Sequence, residues 1–288
     1  MVIKFKKLYL LLFAIVVLTV SACVQIVRAQ PTAATPAPTP LPIVMYHQVN
    51  KSANRAGTYC VTLDELESDF RYIKECGYTA ITTEQLLRAV DGKAALPDKP
   101  IMITFDDGFE SIFQYVQPLL KQYDLCAVVS VVGAYTDRYS ELDDHSVNYA
   151  YLTWSEIEQL AQSGTVEIQN HSYDLHQINN CGHKGAKKRN GESEEEYRAF
   201  LQTDLQKMQE LCEKNAKIKP IAFTYPFGCY SKESKEIIRE MGFRACFVCE
   251  EKINSIDYEN TDWLYHLCRF NRPHGVSTQL FFGKLFGE

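Results

Sequence analysis

The sequence predicts an α/β protein, a single-domain distorted (β/α) barrel of about seven parallel strands. Three observations carry that expectation. From Ile43 onward, short β-rich runs alternate with amphipathic helical stretches. No internal repeat or long low-complexity segment interrupts the alternation. With 288 residues, 46% of them hydrophobic, the chain is long and apolar enough to bury a substantial core.

Taken in order, residues 1–22 read as a signal peptide. Lys4, Lys6 and Lys7 precede an apolar run from Leu8 to Val20 that is short for a bilayer span and right for a signal core. Val20-Ser21-Ala22-Cys23 resembles a bacterial lipoprotein signal, in which Cys23 would be acylated; cleavage after Ala29 and an uncleaved anchor are the alternatives. Export is expected either way, with the protein anchored on the outer face of the membrane or secreted. Residues 23–42 read as a Pro/Thr-rich tether, since a tract such as Thr35-Pro36-Ala37-Pro38-Thr39-Pro40 cannot build a core. The domain is expected over residues 43–288. Its strands are predicted at Ile43 to Tyr46, Ala80 to Ile81, Ile101 to Phe105, Ala127 to Val132, Val166 to Gln169, Ile221 to Phe223 and Ala245 to Val248. Helices are predicted from Thr62 to Glu75, Thr83 to Val90 and Ser155 to Ser163. A fourth is opened by the capping box of Ser193 and Glu196 and runs to about Lys214.

The formal net charge is -6, and the signal segment carries three lysines and no acid, so the remainder is more acidic still. Such a chain is a poor candidate for binding nucleic acid or an anionic membrane through bulk charge. Membrane contact is expected only through an N-terminal lipid or anchor. Ten cysteines are scattered along the chain, several in apolar runs where a thiol behaves as a small hydrophobe, so most are expected unpaired. The spacing of Cys246 and Cys249 stands alone in a strand-like segment and carries no metal or redox expectation.

Two clusters carry chemistry. Asp106 and Asp107 end the apolar run Ile101-Met102-Ile103-Thr104-Phe105 and precede Gly108. Adjacent residues on an extended chain point to opposite sides, so one carboxylate can bind a metal while the other faces a substrate. The plain structural alternative is an Asp-Gly turn capping the next helix. His171 and His176 lie five apart, about 140° from each other on an ideal helix, so they need a strand-to-loop bend to meet. Alone they could be two unrelated surface histidines. Together the clusters offer a carboxylate and two imidazoles for a divalent metal and leave a second carboxylate as a base, the inventory of a metal-assisted hydrolase.

Thr104-Phe105-Asp106-Asp107-Gly108 resembles the first motif of the polysaccharide deacetylases, the NodB-homology or family 4 carbohydrate esterases, and His171-Ser172-Tyr173-Asp174-Leu175-His176 resembles their second. The five-residue histidine separation, together with Ile43-Val44-Met45-Tyr46-His47, resembles the branch acting on poly-β-1,6-N-acetylglucosamine. Tyr225-Pro226-Phe227-Gly228 resembles the third motif, which forms a wall of the substrate groove. The resemblance implies Asp106 as general base, His47 as general acid, and Asp107, His171 and His176 as ligands of a divalent metal: zinc first, with cobalt, nickel or iron also compatible. It implies removal of N-acetyl groups from an N-acetylglucosamine polymer. The sequence departs from the pattern at Thr224, where most of the family carries an arginine that steadies the base. His266 and His274 are alternative acids; His47 is preferred because it follows a β-rich run and falls at a strand end. Asp262-Trp263 resembles the family's fourth motif, whose acid orients the catalytic histidine. Two other functions fit the same inventory, a non-catalytic carbohydrate-binding lipoprotein and an O-acetyl esterase. A nucleotide hydrolase does not, since no GxxxxGK[ST] loop occurs.

Overall fold

The computed structural model of the chain describes residues 39–177 and 182–287. The signal segment, the cysteine read as a lipidation site and most of the tether lie outside the described residues. The fold begins four residues before the expected boundary: β1 (Thr39–Leu41) is a strand inside the stretch read as tether. Next come β2 (Ile43–Tyr46), β3 (Gln48–Asn50), β4 (Cys60–Thr62), α1 (Leu63–Glu75), β5 (Thr79–Ala80), α2 (Thr83–Val90) and β6 (Pro100–Phe105). A short π-helical turn leads into α3 (Gln117–Gln122), followed by β7 (Ala127–Val131), α4 (Gly133–Leu142), α5 (Trp154–Gln162), β8 (Val166–Asn170) and α6 (Glu194–Ala216). The remainder is β9 (Ala222–Thr224), α7 (Lys232–Glu240), β10 (Ala245–Phe247), β11 (Asn254–Ile256), β12 (Phe270–Asn271) and α8 (Thr278–Phe286).

The main sheet runs β10-β9-β8-β7-β6-β2-β12, all parallel, with β5 paired beside β6. These seven strands curl into a half-barrel wrapped by helices. One segment reaches both edges of the curl: Leu267 bridges Phe247 of β10, and three residues later Phe270 pairs with Val44 of β2. The helices start where the sequence caps them. Thr62 with Glu65, Thr82 with Gln85, Thr153 with Glu156 and Ser193 with Glu196 each form a capping box, supplying partners for amide groups that the first turn leaves unsatisfied.

Period-2 alternation then sorts the barrel interior into layers. Ile43, Met102, Val128, Ala222, Ala245 and Leu267 pack together as one apolar layer. Two residues further along three of these strands, after Met102, Val128 and Ala222, the side chains are the hydroxyls of Thr104, Ser130 and Thr224. Thr104 donates to the Val44 carbonyl at 2.8 Å, and the Ser130 and Thr224 hydroxyls meet at 2.7 Å. Two residues beyond Thr104 stands Asp106. Intervening residues such as Val44, Ile103, Val129 and Phe105 belong to the outer core with Leu66, Phe70, Ile157 and Met208 from the helices.

Candidate active site

Strand register brings the site residues level. Tyr46 pairs with Phe105, and the Asp106 amide donates to the Tyr46 carbonyl at 3.0 Å, so His47 and Asp106 leave neighbouring strands side by side. Across β7, the His171 amide donates to the Val131 carbonyl at 3.0 Å. All three therefore stand at C-terminal strand ends, the face of a barrel on which catalytic groups collect.

The backbone turns sharply at both motifs. Asp107 and Gly108 hold φ of 70° and 77°, and a Cβ on Gly108 would lie 2.9 Å from Val131 Cγ1. That position needs glycine for both conformation and space. Ser172 holds φ of 78°, with its amide bound to Asn170 Oδ1 at 2.7 Å and its hydroxyl accepting from the Leu175 amide at 3.0 Å. The Asp204 carboxylate from α6 takes the Tyr173 and Asp174 amides at 2.8 Å each. This folds His176 back toward His171, with the Tyr135 hydroxyl holding its carbonyl at 3.0 Å.

Asp107 Oδ1 lies 3.4 Å from His171 Nε2 and 3.1 Å from His176 Nε2. It is nonetheless a buried oxygen with no hydrogen-bond donor. His171 Nδ1 stands 2.8 Å from the Thr224 carbonyl, which can only accept, so Nδ1 carries the proton and Nε2 presents its lone pair to the cluster. One oxygen and two nitrogens within 4.8 Å of one another, with an orphaned acceptor among them, fit a divalent cation better than they fit mutual hydrogen bonding.

Asp106 is 2% exposed and forms a two-pronged pair with Arg269, Nη1 to Oδ1 at 2.7 Å and Nη2 to Oδ2 at 2.8 Å. Arg269 itself is fully buried and also binds the Val248 carbonyl and the Thr104 hydroxyl. Burial alone would raise the Asp106 pKa; Arg269, His171 and His47 outweigh it and hold the carboxyl well below its ordinary range. The arginine missing at Thr224 is thus replaced from another part of the chain, and Thr224 instead spends its hydroxyl on Ser130 and its carbonyl on His171. Nothing local in the sequence ties Arg269 to a residue 163 positions away.

His47 is half-buried, its Nδ1 has no partner and its ring meets Tyr59 edge-on at 4.8 Å. Burial pushes its pKa down against the pull of Asp106 and Asp107. The other two histidines are engaged elsewhere. His266 contacts Glu250 at 2.9 Å and Lys235 at 3.1 Å, and His274 contacts Glu65 at 2.8 Å. Asp262 pairs with Arg239 at 2.7 Å, on the surface and away from His47.

Of the four residues expected at the substrate wall, Tyr225 is fully buried and Pro226 is buried, so neither offers a face to a ligand. Phe227, at φ of 58°, packs on His176 with ring centres 4.4 Å apart and the planes tilted by 35°. Gly228 packs so closely that a Cβ there would lie 2.8 Å from Cys249 Cβ. Phe109, Tyr135 and Tyr151 form a second aromatic group that the sequence did not single out, with ring centres 4.7 and 4.5 Å apart and Tyr135 edge-on to His176 at 6.2 Å. Trp154 is packing: it is 9% exposed and donates to Asp137 at 2.7 Å. Among the described residues, eight cysteines are free.

Comparison with known proteins follows the same motifs. A family model described as polysaccharide deacetylase matches residues 93–246. A poly-beta-1,6-N-acetyl-D-glucosamine N-deacetylase of Escherichia coli K12 is 27% identical over 224 residues, covering 72% of this chain; the chain spans 33% of that protein's length. A protein of the same name from Staphylococcus aureus N315 is 25% identical over 228 residues, 74% of each chain. The structure of a deacetylase domain from Bordetella bronchiseptica superposes with a TM-score of 0.67 at 26% identity, over 82% of this chain and 97% of that one. A de-N-acetylase from Aggregatibacter actinomycetemcomitans shares the fold, with a TM-score of 0.71 at 23% identity over 86% and 99%. With the family match spanning more than half its length and both motifs inside it, the chain belongs to the polysaccharide deacetylase family.

Proposed function

We propose that this protein is a metal-dependent hydrolase that removes N-acetyl groups from a cell-surface or cell-wall N-acetylglucosamine polysaccharide, leaving acetate and a free amino sugar. The observation that carries the reading is the division of labour between adjacent carboxylates. Asp107 faces the two imidazoles with an unpartnered oxygen, while Asp106 is held ionised by Arg269 beside them. The names of the E. coli and S. aureus relatives support the polymer.

A divalent ion held by Asp107, His171 and His176, with zinc the first choice, would polarise the acetamide carbonyl and make water acidic enough to attack. Asp106 is placed to take the proton from that water, and its two-pronged contact with Arg269 keeps it ionised and fixed in orientation. His47, which follows the neighbouring strand beside Asp106, is the residue we assign to protonate the departing amine. Phe227 and the Phe109, Tyr135 and Tyr151 group meet His176 and carry apolar faces suited to sugar rings. Export, with the protein tethered to the outer face or secreted, would place the enzyme beside its polymer.

The test is release of free amine from β-1,6-linked, β-1,4-linked and peptidoglycan-derived N-acetylglucosamine oligomers by zinc-loaded protein, beside Asp107→Ala. Turnover absent from the variant is expected, greatest on the β-1,6 series. No amine release from any oligomer, with zinc bound, overturns the N-deacetylase reading; acetate release from O-acetylated polymer would then identify an esterase.

A further inference from the structure

A second cluster of ligating groups lies outside this site. Glu110, three residues beyond Asp107, is 1% exposed. Its Oε1 accepts from Gln114 Nε2 at 2.7 Å, whereas its Oε2 is buried without any hydrogen-bond donor. Glu156, 6% exposed at the start of α5, uses Oε2 for the amide and hydroxyl of Thr153, both at 2.8 Å, and turns Oε1 toward His145. Both remaining oxygens face His145, whose Nδ1 lies 2.9 Å from Glu156 Oε1 and 3.6 Å from Glu110 Oε2. On its other edge His145 Nε2 stands 3.2 Å from Asp143 Oδ1.

We infer that Glu110, His145 and Glu156 form a second divalent transition-metal site, with Asp143 as the outer partner that orients the histidine. One ligand atom from each of the three lies within 4.8 Å of the others. Two carboxylates and one imidazole suit zinc or manganese. A carboxylate on Nε2 is the arrangement that fixes the tautomer of a metal-ligating histidine and directs the Nδ1 lone pair inward. Charge points the same way. Two buried carboxylates with a neutral histidine carry two negative charges that a divalent ion cancels; without one, protons must do so.

Position gives the ion a task. The loop of residues 143–152 runs beside the first motif: the Glu110 amide donates to the Ala150 carbonyl at 2.9 Å and the Leu152 amide to the Gly108 carbonyl at 2.8 Å. The same loop receives Gln48 and Asn50, at Val147 and Asn148, both at 3.0 Å. It carries Tyr149, 55% exposed, and Tyr151 of the aromatic group. An ion at its base would pin that group to the strand end bearing Asp106 and Asp107.

The test uses Asp107→Ala to empty the first site, so it does not depend on the deacetylase reading. After equilibration with zinc and removal of excess, elemental analysis should find about one equivalent per folded chain, falling to less than ~0.2 in Asp107→Ala/His145→Ala. Zinc should also raise the thermal midpoint of Asp107→Ala by ~2–4 °C and leave the double variant unmoved. Where Asp107→Ala does not fold, the same count on the unmodified protein against His145→Ala should read two against one. Equal zinc with and without His145, or none in folded Asp107→Ala, overturns the site and leaves His145 as an imidazolium between carboxylates.

Discussion

Two buried aspartate–arginine pairs sit three residues apart on the closing segment of the barrel, and they are built for opposite ends. Arg272 meets Asp69 of α1 at 2.8 and 3.1 Å, and the same carboxylate also takes the Tyr46 hydroxyl at 2.9 Å and the Thr278 hydroxyl at 2.6 Å. With four donors from three residues, that carboxylate has no acceptor capacity to spare. Arg269 meets Asp106 just as closely, yet Arg269 supplies the only hydrogen-bond donors to that side chain among the described residues, and its other neighbours are His47 and His171. A saturated pair holds helices to the barrel. A pair with free lone pairs at a strand end keeps a base ionised and available.

The strongest way to break the comparison is Arg269→Met. It strips Asp106 of both donors, and removing one partner of a buried ion pair costs about 3–5 kcal/mol of stability. The distinguishing effect is on chemistry. Arg269 lowers the Asp106 pKa, so its loss lets burial raise it; because the base works only when ionised, the acid limb of the kcat/KM profile should move to higher pH by about one unit or more. Turnover at neutral pH should fall about 100-fold or more. A limb that stays put would mean Arg269 is structural only.

His47→Gln should rank second, lowering kcat by about 100-fold with little loss of stability, since the ring is half-buried with an unpartnered Nδ1. Its sign in pH follows from the same logic. A general acid must be protonated, and burial pushes His47 below the ordinary histidine value, so activity in the parent should decline as pH rises through that lowered value, and this limb should vanish in the variant. Retention of the limb would pass the role to another group. His266 and His274 are already bound to carboxylates elsewhere.

How much of this could be read beforehand depended on distance along the chain. Six of the seven strands in the barrel order, the Ser193–Glu196 capping box and the two motifs are local patterns, and each appears within a residue or two of its expected place. What was hidden is what the barrel closes. Phe270–Asn271 of β12 is two residues long and pairs with a strand more than 200 positions earlier, so no local periodicity marks it. Arg269 could not be assigned from its neighbours, and Tyr225 reads as a groove residue until the register of β9 and β10 sends it into the core. Fully buried polar pairs are the part of a site that sequence spacing conveys least.

Arg272→Met should damage stability rather than chemistry. It removes two of the four donors to Asp69, which is 0% exposed, and should cost about 3–5 kcal/mol in denaturant unfolding. Measured well below its melting temperature, its kcat and its pH limbs should match the parent. An altered acid limb would show that the two arginines act as one network and that the comparison drawn between them is false.

The smallest effect is the most exacting test of saturation. Tyr46→Phe deletes a single hydroxyl from Asp69 while Arg272 and Thr278 still supply three donors, so no charge is left bare. The cost should be that of one net hydrogen bond, about 1 kcal/mol, read as a lower urea midpoint at unchanged m-value. Tyr46 is also the residue before His47, and its carbonyl fixes the Asp106 amide. Because the substitution leaves the backbone and the ring stack on Phe105 in place, turnover should be unchanged. A large loss of kcat in Tyr46→Phe would mean that Asp69 positions His47 through this ring, and the buried pair would then belong to the active site.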